Sequence, residues 1–156
     1  MNKLWRLTLL IFICEAIGIL GSVFTLSQIP TWYASLNKPF FNPPNFIFGP
    51  VWTTLYFLMG LSLFLVLEEK LKKHKNKIII LFSIQLLLNF IWSFIFFGLH
   101  NPILAFINIA MLWGSIILLI YEFWKYSKVA SLLLVPYLLW VSFASVLNLF
   151  IIVLNR

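Results

Sequence analysis

The chain has 156 residues, of which 63% are hydrophobic, 19% aromatic and only 10% charged. A soluble domain carries roughly 25% charged residues, and one of this size cannot bury so much apolar surface while keeping a polar exterior. An ordinary cytosolic enzyme, a disordered regulator and a nucleic-acid module are therefore excluded. The net charge of +7 comes from eleven Lys and Arg against four Glu, with no Asp. In so apolar a chain, that balance marks loops that face an anionic membrane surface. The single cysteine, Cys14, allows no intrachain disulfide and no Cys-rich metal site.

A membrane helix needs about 20 mostly apolar residues to cross roughly 30 Å of hydrocarbon. Five stretches qualify: 7–26, 46–67, 78–99, 103–121 and 129–154. They predict an all-α integral membrane protein, a single domain over 1–156 that forms one bundle of five helices. Lys3 and Arg6 ahead of the first stretch resemble a signal peptide. The run is longer than a signal core and has no small-x-small cleavage site, so it is read as a span.

The first span carries Glu15 near its centre. A charge there costs at least about 2.5–3.5 kcal/mol, so this side chain is expected to face the bundle or to be protonated. It serves either as interhelical glue or as a ligand contact. Gly18, Gly21, Ser22 and Thr25 give the same span a small-residue face.

Between the first two spans, a long loop over about Ser27–Phe48 holds Pro30, Pro39, Pro43 and Pro44, with Pro50 just beyond. Proline fixes φ and lowers the entropy cost of order, so this loop is expected to be stiff: a lid, or else an interfacial tether anchored by Trp32 and Tyr33. The other links are short, apart from the Lys-rich segment Glu68–Lys77, which makes consecutive helices antiparallel neighbours.

Three spans carry polar and aromatic stripes. Gln85, Asn89, Trp92, Ser93 and Phe96 lie at offsets 0, 4, 7, 8 and 11, and so share a helix face. Trp140, Ala144, Leu147, Asn148 and Ile151 repeat these offsets on the last span, and Trp52, Tyr56, Met59 and Gly60 form a stripe on the second. Asn108 sits mid-way along the fourth. Unpaired amides in hydrocarbon are costly, so these side chains are expected to point inward. Together they either fill the core and glue helix to helix, or enclose a large planar apolar molecule that the rings stack on and the amides orient.

Conventional catalytic equipment is missing. There is no Asp pair for magnesium-diphosphate chemistry, no His cluster and no Gly-rich phosphate loop. His74 and His100 fall in separate loops on opposite sides.

Basic residues set the orientation. Lys3, Arg6, Lys70, Lys72, Lys73, Lys75, Lys77, Lys125 and Lys128 fall on one side, while only Lys38 and Arg156 fall on the other. The N-terminus is expected in the cytoplasm and the C-terminus outside, across a bacterial plasma membrane.

Four blocks carry a family resemblance. They are Trp32-Tyr33-x-x-Leu36-x-Lys38-Pro39-x-x-x-Pro43-Pro44; Phe48-x-Pro50-Val51-Trp52-x-x-Leu55-Tyr56-x-x-Met59-Gly60; Gln85-x-x-x-Asn89-x-x-Trp92-Ser93-x-x-Phe96-Phe97; and Pro136-Tyr137-x-x-Trp140-x-x-Phe143-Ala144-x-x-Leu147-Asn148. Over nearly its whole length the chain resembles the translocator protein family (TspO/MBR, the tryptophan-rich sensory proteins or peripheral-type benzodiazepine receptors), and a bacterial member is expected. The resemblance implies a five-helix membrane bundle, commonly a homodimer, whose pocket is closed by the first loop. It implies a receptor or sensor that binds protoporphyrin IX and other lipophilic ligands, needing no cofactor and no nucleic-acid partner.

The matching pocket positions are Trp52, Asn89, Trp92, Ser93, Trp140 and Ala144. Tyr56, Phe96 and Leu147 join them from the stripes. Two other activities remain open. One is light-dependent porphyrin breakdown, with Trp52 and Trp140 as photochemical residues; the other is transport of tetrapyrroles or other lipophiles. The family's C-terminal cholesterol motif is not matched, since Leu147-Asn148-Leu149-Phe150 lacks its Tyr and following base.

Overall fold

The computed structural model describes residues 2–71 and 74–156. Lys72 and Lys73, placed by sequence in the basic loop, lie outside the described residues. The elements are α1 (Lys3–Leu26), α2 (Trp32–Ser35), α3 (Asn45–Glu68), α4 (Lys75–Ser93), α5 (Pro102–Trp124), α6 (Lys128–Leu132) and α7 (Val135–Leu154). A wider π-helical turn over Phe94–Gly98 prolongs α4. Five helical stretches are long and apolar enough to span a membrane, with α6 and α7 together forming the fifth. Their outward faces carry exposed Phe12, Val23, Leu87, Leu118, Leu139 and Val153, the surface a lipid solvent requires.

The helices pack as α1 on α3, α4 on α5 and α5 on α7, with α1 also crossing α4. The main core holds Met59, Ile78, Ile116, Leu119, Phe123 and Tyr137, all fully buried. A second cluster gathers Tyr33, Phe96, Phe97, Ala105 and Ile151 beneath the first connection. Gly60 sets the α1–α3 approach. A Cβ there would lie 2.6 Å from Ile11 Cα and 2.9 Å from its backbone nitrogen, so only a bare Cα fits. At the same end of this helix pair, Glu68 takes ion pairs from Lys3 (3.0 Å) and Arg6 (2.7 Å). Across the bundle, Glu122 takes Lys77 (2.7 Å) and Lys125 (2.8 Å).

The connection from α1 to α3 differs from the sequence expectation. It is shorter, because Asn45–Phe48 belong to α3, and it contains the helical turn α2. Pro44 caps α3 at φ −56°, the value its ring imposes, which favours an early helix start. Aromatic packing holds α2: the Trp32 ring lies 5.4 Å from Phe96 and stacks on His100 at 4.5 Å. Tyr33 donates to Asn42 Oδ1 (2.7 Å), and burial pushes its phenol up to about 12. At the far end of the connection, the Asn37 N–H donates to Asn155 Oδ1 and Asn155 Nδ2 donates back to the Asn37 carbonyl, each at 2.9 Å.

Two further departures have local causes. The fifth span breaks at Leu133–Leu134 because Pro136 lacks an N–H and its ring crowds the carbonyl four residues back. Ser62 and Ser131 fasten α6 instead, bonding the carbonyls of Ala130 (2.6 Å) and Ile120 (2.8 Å). The α4–α5 turn passes through His100 at φ 52°, a left-handed conformation that His tolerates better than most residues. Its ring nitrogen lies 2.9 Å from Gln28 Oε1, which ties this turn to the end of α1.

Candidate functional site

A cavity of about 410 Å³ lies between α1, α3, α4 and α7, under the first connection. All nine residues expected from the sequence line it. Trp52 and Tyr56 come from α3. Asn89, Trp92, Ser93 and Phe96 come from α4 and its π turn. Trp140, Ala144 and Leu147 come from α7. Residues beyond those nine also line it, among them Tyr33, Phe97, Gly18 and Ile19. The π turn explains Phe97: widening the helix by one residue lets the sequence neighbours Phe96 and Phe97 both reach the cavity. Gly18 and Ser22, read as helix-packing residues, also line the cavity, and Gly18 packs closely on α3. Any Cβ on Gly18 would collide with the Tyr56 ring.

The rings form a nearly continuous lining. Trp52 and Tyr56 have centroids 5.6 Å apart, Trp92 stacks on Phe96 at 5.0 Å, and Phe48 meets Trp140 edge-on at 6.0 Å. Such walls suit a flat apolar guest.

The amides are partly committed. Tyr56 Oη donates to Asn89 Oδ1 (2.5 Å), and Asn89 Nδ2 donates to Tyr137 Oη (2.9 Å), which joins α3, α4 and α7. Asn89 therefore keeps one N–H and one lone pair for a guest. Trp92 Nε1 donates to Asn148 Oδ1 (3.2 Å), and Asn148 Nδ2 to the Pro102 carbonyl (2.9 Å). Asn108, away from the cavity, donates to the Leu88 carbonyl (2.9 Å). Gln85 is fully buried, and neither of its amide atoms has a partner among the described residues.

The wall between α1 and α3 differs from the others. Ile19, Leu26, Phe46, Gly49 and Thr53 line the cavity and are also exposed. Held together at Gly60 and Glu68, the two helices leave a lateral opening between them toward their other end.

The five apolar spans, with an aromatic-lined cavity among them, define an integral membrane protein built as an all-helical bundle. The TspO/MBR family profile matches residues 10–154. The chain is 47% identical to the Tryptophan-rich protein TspO of Chlorobaculum tepidum over 99% of both chains, and 49% identical to that of Archaeoglobus fulgidus over 90% of both. It is 37% identical to the Translocator protein of Homo sapiens, over 82% of this chain and 77% of the human one. The chain belongs to the TspO/MBR family.

Proposed function

We propose that this protein is a membrane receptor or sensor that binds protoporphyrin IX, or a similar planar lipophile, in the cavity between α1, α3, α4 and α7. The observation that carries this reading is the lining: Trp52, Tyr56, Trp92, Phe96 and Trp140 on facing helices, with Asn89 and Ser93 among them. The volume of about 410 Å³ falls in the range of ligand sites, and the lateral opening lets a large guest extend beyond the walls. Its relatives carry the names translocator protein and tryptophan-rich sensory protein. The N-terminus faces the cytoplasm of a bacterial cell, and a second copy packs on α5.

A second reading is favoured by the placement of Trp52 and Trp140 on the cavity wall. Both indoles are only partly buried, and they are suited to give an electron to a photoexcited porphyrin. Titrating the purified protein with protoporphyrin IX, in darkness and under illumination, tests both readings. Saturable quenching of tryptophan fluorescence supports the receptor, and light-dependent loss of the porphyrin band supports the photochemical role. Absence of saturable quenching overturns the receptor.

A further inference from the structure

We infer that Glu15 makes the cavity selective for lipophilic cations: flat apolar molecules that carry a protonated amine or a quaternary ammonium. This rests on the cavity being a ligand site, as proposed above.

Glu15 lies half-way along α1 and lines the cavity. Gly18, one turn further on, touches the Tyr56 ring, so Glu15 stands on the α1 face turned toward α3. The role of interhelical glue does not fit. Among the described residues, the ion pairs use Glu68 and Glu122, and Glu15 makes no side-chain hydrogen bond to another helix. Its carboxyl group sits mid-way along a helix apolar enough to span a membrane, where charge is expensive, and has no partner among the described residues.

No Lys, Arg or His is found among the described lining residues, which supply one acid and no base. The basic side chains of Lys3, Arg6, Lys77 and Lys125 are engaged in ion pairs at the helix ends. The other walls reinforce the preference. Trp52, Trp92 and Trp140 line the cavity, and indoles are the best aromatic partners of a cation. A carboxyl group set among aromatic rings, with no competing base, is the arrangement that recognises ammonium groups. The same chemistry disfavours anions inside the cavity. The two propionates of protoporphyrin IX then lie outside the walls, toward the lateral opening, with only the macrocycle enclosed.

The test uses the full chain in nanodiscs of zwitterionic lipid, with two pyrene probes of equal shape. One bears a trimethylammonium group and the other a tert-butyl group, and binding is read as quenching of tryptophan fluorescence. Wild type binds the ammonium probe about tenfold or more tightly than the tert-butyl probe. Glu15→Gln, which keeps the side-chain shape, abolishes this preference. The ratio of the two probe affinities is measured on one sample, so a change in folded fraction does not alter it. Equal binding of the probes by wild type, or a preference that survives in Glu15→Gln, overturns the inference. If protoporphyrin IX still binds in that case, the receptor reading stands. If neither probe nor protoporphyrin IX binds, both fall.

Discussion

Replacing Asn89 with alanine removes the junction of three helices. Two hydrogen bonds go, one from the Tyr56 hydroxyl and one to the Tyr137 hydroxyl. Tyr137 is fully buried and Tyr56 is 6% exposed, so both phenols are left with a lost partner. A buried polar group deprived of its partner costs about 1–3 kcal/mol. Tyr56 borders the cavity, where water can replace part of the loss, which places the total at roughly 2–4 kcal/mol. For a chain of this length that is a fall in Tm of roughly 4–16 °C on the scale of soluble proteins. Thermal unfolding in detergent, followed by tryptophan fluorescence, reads it directly. The triple variant Tyr56→Phe, Asn89→Leu, Tyr137→Phe removes every polar atom of the junction together and should recover most of the loss. An Asn89→Ala protein that unfolds at the wild-type temperature, or a triple variant no more stable than the single one, refutes the reasoning. At a temperature where Asn89→Ala is folded, its affinity for protoporphyrin IX should fall by about tenfold. Unchanged affinity would make Asn89 a structural tie with no hold on the guest.

Four other outcomes follow from the geometry. Gly60→Val must push α1 back by roughly 1 Å to restore ordinary contact with Ile11, so its Tm should drop by several degrees, whereas Gly49→Ala, with nothing within 4 Å, should not lower it; an equal fall in Tm for both variants would refute the close-approach argument. Trp52→Phe and Trp140→Phe should keep most of the porphyrin affinity and lose light-driven breakdown, since phenylalanine keeps a stacking face but oxidises less readily; parallel loss of both would make the indoles shape-giving only. A reporter fused after Arg156 should be found outside the cell and a tag within 70–77 inside; a cytoplasmic C-terminal reporter contradicts the charge argument. Ala110 is exposed on α5 and Gly114 has open space at its Cβ position, so cysteine at position 110 should cross-link two copies in native-like lipid; recovery of monomer alone counts against that interface.

The spans and the cavity-facing stripes were legible because both are written in periodicity. Apolar length marks a span, and the spacing of Asn89, Trp92, Ser93 and Phe96 marks a face whatever the rest of the bundle does. Features that depend on a distant partner were not. Tyr137 stood in a motif, yet only the approach of α7 to α4 makes its hydroxyl the second partner of Asn89. The helical turn at Trp32–Ser35 relies on rings from the end of α4, so a local reading of its prolines predicts a loop. The lack of a partner for Glu15 is likewise a fact about neighbours. Pro136 did signal the break in the fifth span, but the apolar run around it hid the interruption.

The reciprocal bonds between Asn37 and Asn155 span 118 residues of chain. An asparagine side chain offers a donor and an acceptor side by side, so it can close a backbone segment as a neighbouring strand would. Synthesis runs from the N-terminus, so the cavity walls contributed by α1, α3 and α4 are made well before residue 155 leaves the ribosome. The roof segment around Asn37 therefore waits, unfastened, until the last span has entered the membrane. A nascent chain arrested after α5 would expose its aromatic interior to lipid, and Asn155 completes the latch.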